Sequence, residues 1–130
     1  MDEEDDSAAK IAEAFPVLKV RVAFAPGIFI GPGKAALLAA IDETGSIRAA
    51  GARFAMSYRR AWTLVSELNA MFDEPLVSAG AGGRGGGGAK LTETGRFVME
   101  RFRSIEAAAR AAAADDVERL TGRLKRESPP

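Results

Sequence analysis

The hydrophobic pattern changes period several times along the chain. In VLKVRVAF, residues 17–24, Leu18, Val20, Val22 and Phe24 alternate with Lys19 and Arg21. That period of two predicts a strand with one buried face. Ala25, Pro26 and Gly27 then turn the chain, and IFIG predicts a short returning strand. From about Gly33 to Glu43 the period lengthens to that of a helix, with Leu37, Leu38 and Ile41 on one face. Pro32 stands near its start, where a missing N–H costs nothing, and Gly45 stops it. Ser46 caps a second, short helix, SIRAAGARF, with Ile47, Ala50 and Phe54 turned inward. Ala55, Met56 and Ser57 form a break. Ser57 is a second N-cap, and about fourteen helical residues follow, with Ala61, Val65, Leu68 and Phe72 on one face. Trp62 flanks that face and reads as a core residue. Pro75 ends the element.

Two short β-compatible segments, Leu76–Ala79 and Ala89–Thr92, enclose a run rich in glycine. A long helix follows, TETGRFVMERFRSIEAAARAAAA, with Val98, Phe102, Ile105, Ala109 and Ala112 as its apolar stripe. After Asp115 and Asp116, a further apolar set of Val117, Leu120 and Leu124 predicts either a separate short helix or a bent continuation. The expected fold class is mainly α with a small antiparallel β-sheet, in the form of a winged helix-turn-helix with a long C-terminal dimerisation helix. Residues 1–16 read as an acidic tail, 17–114 as the domain with its long helix, and 115–130 as a short helix and tail.

Composition narrows the chemistry. The 130 residues contain no cysteine and no histidine, which removes thiolate nucleophiles, the usual zinc ligands and a histidine base. No spacing of carboxylates suggests a metal or acid–base site. The expectation is a protein that is not an enzyme and that uses no cofactor and no metal. No apolar run approaches the roughly 20 residues of a membrane span, and the acidic start is unlike a signal peptide, so a cytoplasmic location and no membrane partner are expected.

Charge adds a direction. The net charge is zero, with 18 basic and 18 acidic side chains. Met1 to Gly45 nevertheless carries eight acidic and four basic residues, and Ser46 to Arg96 four acidic and seven basic. Segregation of this kind allows a nucleic-acid face on a neutral chain.

The basic middle coincides with the helix-turn-helix pattern. Its second helix would place its first turn in a major groove of double-stranded DNA. The candidate contacts there are Ser57, Tyr58, Arg59, Arg60 and Thr63, joined by Ser46 and Arg48 at the start of the preceding helix. Arginine offers two N–H groups to a guanine edge or a phosphate, and a helix N-terminus favours phosphate. Small Ala49, Ala50 and Ala52 let the two helices approach. Ala55 stands at the break, where glycine is common.

The run from Ser78 to Thr92 contains seven glycines and one arginine, Arg84. It fails as a phosphate-binding P-loop: after Gly83 and Gly88 the lysine is displaced to Lys90, and no Ser or Thr follows it. As the tip of a wing it is coherent. Glycine permits positive φ and close backbone approach to a sugar-phosphate rail. Arg84 and Lys90 are the wing's candidate DNA contacts.

The segment LLAAIDETGSIRAAGARFAMSYRRAWTLVSELN, followed by PLVSAGAGGRGGGGAKLTETG, resembles the N-terminal DNA-binding domain of ModE-type molybdate-responsive regulators, which is related to the LysR-type winged helix. The motifs GSI, AMSYRRAW, GGRGGGGAKLT and LTETG carry the likeness, which extends from Leu18 to about Ala114. It implies a homodimeric, sequence-specific DNA-binding regulator of transcription, with the long helix at the dimer interface. Regulators of this type also carry small β-barrel domains that bind oxyanions. The residues after Ala114 hold no such domain, so molybdate sensing is not carried over and an effector is left open; the chain reads as a stand-alone member, the favoured reading, or as a fragment cut near a linker. The alternative is a module that partners another regulator and has little DNA affinity of its own.

Overall fold

A computed structural model describes residues 14–79 and 88–125. Strands β1 (Val22–Ala25) and β2 (Ile28–Ile30) form one hairpin. Helices α1 (Pro32–Thr44), α2 (Ile47–Arg53) and α3 (Tyr58–Met71) follow, then strands β3 (Val77–Ala79) and β4 (Ala89–Leu91), and finally helix α4 (Glu93–Thr121). The β content is two separate two-stranded antiparallel sheets rather than one. In the first, Val22 faces Ile30 and Ala23 faces Phe29; in the second, Val77 faces Leu91 and Ala79 faces Ala89.

Short-range chemistry sets the helix ends. Pro32 opens α1, and Gly45 closes it in the left-handed region, with φ 72°. The Ser46 hydroxyl accepts from the Ala49 N–H at 3.0 Å, and the Ser57 hydroxyl accepts from the Arg60 N–H at 3.0 Å. Each satisfies one of the amides that a helix start leaves without an internal partner. Helix α3 stops at Met71, with Phe72 already extended, so the element ends before Pro75 acts on it.

One core joins all the helices. Leu37, Leu38 and Ile41 of α1, Ala50 of α2, Ala61, Leu64, Val65 and Leu68 of α3, Leu76 before β3 and Phe102 of α4 are buried. The close crossing of α2 and α3 rests on Ala50 and Gly51. A Cβ on Gly51 would lie 2.8 Å from that of Ala61. Ala49 and Ala52 are exposed and do not mediate the approach. Gly95, in the first turn of α4, sits against the backbone of Leu76, whose carbonyl oxygen would be 2.0 Å from an added Cβ.

Several expectations are corrected. Residues 17–21 lie outside β1, and Phe24 is 56 % exposed, its ring edge-to-face with that of Phe72 at a centroid distance of 6.0 Å. Trp62 is 44 % exposed and is not packed on the core. It lies about 100° around α3 from the buried Ala61. Of the stripe on α4, Val98 and Phe102 are buried, but Ile105 is exposed and so is Ala112. The fully buried residues of this helix are in its first turns; farther along, Ala109, Ala113 and Val117 are half-buried, and Ala14, Pro16, Val17 and Leu18 line a cavity with Arg110, Ala114 and Val117. The helix itself runs without a break through Asp115 and Asp116 to Thr121. Residues 115–121 are its last turns and not a separate element. Most of the acidic tail, residues 1–13, lies outside the described residues, as do residues 126–130.

One buried cation escaped the sequence pattern. Lys34 is 4 % exposed. Its ammonium lies 3.9 Å from the centre of the Phe29 ring, donates to the Phe29 carbonyl at 3.3 Å and faces a Glu67 carboxylate oxygen at 3.8 Å. Arg21 lies over the same ring, 4.1 Å from its centre. The ring thus joins the β1–β2 hairpin to α1 by cation–π attraction.

Candidate nucleic-acid interface

Helices α2 and α3 are joined by a tight turn. The Phe54 and Met56 N–H groups both donate to the Gly51 carbonyl, at 3.0 and 2.9 Å, and the Ala55 N–H donates to the Ala52 carbonyl at 3.0 Å. Ala55 adopts φ 60°, a conformation that disfavours a Cβ. The turn directs the start of α3 outward, with its capped N-terminus exposed.

The candidate residues of the two helix starts come together. The Arg48 guanidinium stacks over the Tyr58 ring, 4.3 Å from its centre, linking the first turn of α2 to the first turn of α3. Tyr58, Arg59 and Thr63 are exposed. The Thr63 hydroxyl donates back to the Arg59 carbonyl at 3.0 Å. Ser46 and Ser57 use acceptor capacity on their caps. Arg60, like Ser46, is half-buried, and it is engaged within the protein, so it is less available than Arg59.

On the hairpin, Ala89 and Leu91 are buried while Lys90 between them is exposed. The alternation of a strand thus puts Lys90 on the outer face. Arg84 lies outside the described residues. The base of the hairpin is fastened on two sides. The Ala89 N–H donates to the Gly45 carbonyl at 2.9 Å, between α1 and α2. The Asn69 side chain of α3 accepts from the Leu76 and Val77 N–H groups at 2.8 and 3.0 Å and donates to the Val77 carbonyl at 3.2 Å. Asn69 was not singled out from the sequence. An amide on the less apolar side of a helix carries no periodic signal, and its partners lie across a turn.

Among the described residues, no group of three or more acidic, cysteine or histidine side chains could hold a metal ion, and no helix is long and apolar enough to cross a membrane.

A helix-turn-helix, a two-stranded antiparallel hairpin and a long helix, in that order, are the parts of a winged helix-turn-helix. Residues 34–96 match the family described as bacterial regulatory helix-turn-helix protein, lysR family. The chain carries a LysR-family helix-turn-helix domain. Relatives extend the match. Over 81 residues it is 43% identical to the molybdenum-pterin-binding protein MopB of Rhodobacter capsulatus, covering 62% of this chain and 30% of that protein. Over 88 residues it is 40% identical to the molybdenum transport protein ModE of Azotobacter vinelandii, covering 68% and 31%. The DNA-binding transcriptional dual regulator ModE of Escherichia coli is 35% identical over 75 residues, covering 58% and 29%. The match thus spans about 30% of the length of these relatives. By their names they are a binding protein, a transport protein and a transcriptional regulator, and the domain is related to the ModE transcriptional regulators.

Proposed function

We propose that this protein binds specific double-stranded DNA as a homodimer and regulates transcription. The observation that carries the reading is the exposed, serine-capped start of α3, where Tyr58, Arg59 and Thr63 stand beside Arg48. In this reading the first turns of α3 enter the major groove. Arg59 reads a base edge or holds a phosphate, and Ser46, Arg48 and Ser57 position the backbone. Lys90 and Arg84 belong to a wing that lies along the neighbouring phosphates.

The distal part of α4 supports pairing of two chains. Ile105 and Leu120 are 43 % and 71 % exposed on a helix of 29 residues. Exposed apolar side chains on a long helix are the usual material of a helix–helix interface. A two-fold dimer would present two α3 helices to half-sites about one helical turn apart, or a multiple of it.

Selection of bound fragments from a random or genomic DNA pool tests the reading and measures the half-site spacing. The expected outcome is an inverted repeat with symmetric half-sites, bound by a protein that light scattering shows to be dimeric. Absence of any complex at low salt would refute it, and a monomer at micromolar concentration would refute the dimer.

A further inference from the structure

The exposed face of α3 holds one large apolar group that the reading above leaves without a role. Trp62 is 44 % exposed, although α3 has a well-filled buried face in Ala61, Leu64, Val65 and Leu68. Tryptophan is normally well buried. Trp62 follows Tyr58 by four residues and Arg59 by three, so it stands one turn along the same side of the helix. Helical side chains lean toward the N-terminus, which carries the indole over the turn that holds Tyr58 and Arg59. Tyr58 is itself 41 % exposed and is stacked by Arg48 at 4.3 Å. The row therefore runs cation, aromatic ring, aromatic ring.

We infer that Trp62 is a specificity-determining residue that packs against the 5-methyl group of a thymine in the major groove. The inference rests on the DNA-binding reading above. Thymine is the base that presents a methyl group there, and an indole face has no other means of distinguishing a base edge. The basic groups beside it serve guanine edges and phosphates, so the apolar surface adds a T-specific position to the half-site.

The test uses the full chain and a DNA duplex obtained by selection. Each thymine is replaced singly by deoxyuridine, which removes the methyl group and nothing else. The wild-type protein should lose about fourfold in affinity at one symmetric pair of positions, the equivalent of one buried apolar carbon per half-site. Trp62→Ala should bind more weakly and lose all discrimination between thymine and deoxyuridine at that position. Trp62→Phe should retain part of it, and melting curves establish that both variants are folded. Trp62 is the one tryptophan in the chain, so its fluorescence is a separate readout and should change on DNA binding. A Trp62→Ala protein with the wild-type dependence on the methyl group would overturn the inference, as would emission that changes on dimerisation but not on DNA. If wild-type protein forms no complex at all, the DNA-binding reading falls as well. Specific binding without dependence on Trp62 overturns this inference alone.

Discussion

Gly95→Ala should destabilise the described fold strongly. The added methyl carbon would lie 2.0 Å from the Leu76 carbonyl oxygen, 2.9 Å from its carbon and 3.1 Å from the Leu76 Cα. All three are backbone atoms, so no side chain can swing aside. The segment must move by more than an ångström. That carbonyl accepts from the Thr92 N–H at 2.9 Å, and the neighbouring amides are held by Asn69 at 2.8 and 3.0 Å. Overpacking of this kind costs about 1–3 kcal/mol, and disruption of one or two hydrogen bonds adds about 1 kcal/mol each. Replacing a helical glycine by alanine returns about 1 kcal/mol. The net loss is about 1–4 kcal/mol, a large part of the roughly 5–15 kcal/mol of a typical domain. Urea denaturation followed by circular dichroism measures it directly. A Gly95→Ala protein within about 0.5 kcal/mol of the wild type, the range of an ordinary surface change, would show that α4 is not pressed against Leu76.

Four other outcomes are expected. Ala55→Gly should stabilise the fold by up to about 1 kcal/mol, because relief of the left-handed strain of about 1–2 kcal/mol outweighs the added freedom of the unfolded chain, about 0.5–1 kcal/mol; a lower thermal midpoint would contradict the strain. Asn69→Ala should destabilise by about 1–3 kcal/mol by leaving the Leu76 and Val77 amides without their acceptor, read by the same denaturation assay. Arg59→Ala should weaken specific DNA binding by about 1–3 kcal/mol if the side chain reads a base, measured by gel-shift titration against selected and scrambled duplexes. Arg84→Ala should weaken binding to all sequences alike and reduce the salt slope of log K by about one, so a loss confined to one sequence would contradict a phosphate contact.

The elements were largely legible in the sequence because each carried its own local signal. Ser46 and Ser57 announce helix starts, Gly45 a helix stop, and Leu37, Leu38 and Ile41 a buried face. The alternation around Lys90 separates the two faces of β4. What was missed depends on contacts between distant residues. Trp62 looked like core because hydrophobicity does not record that Ala61 and Leu64 already fill that side of α3. Lys34 carried no signal of burial in the sequence, because its burial depends on Phe29 and Glu67 arriving from other elements. The alanines of α2 were credited with a close approach that belongs to Ala50 and Gly51, since only the helix phase tells which small residue faces the partner. For the candidate interface, the sequence located both helix starts, but it contained no sign of the stacking between Arg48 and Tyr58 or of the partial burial of Arg60.

The hydrogen bond from Ala89 to Gly45, together with the clamp formed by Asn69, separates the mount of the hairpin from its tip. Strands β3 and β4 leave the domain at points fixed by α1 and α3, whatever lies between them. Closing a loop grows more costly only with the logarithm of its length, about 0.6 kcal/mol for each doubling. Residues 80–87 can therefore be lengthened, shortened or recharged at small expense in stability, while the placement of α3 stays constant. The domain is in this sense an interchangeable tool on a fixed handle. In the proposed function, exchanging its tip would retune affinity for the DNA backbone without a redesign of α3.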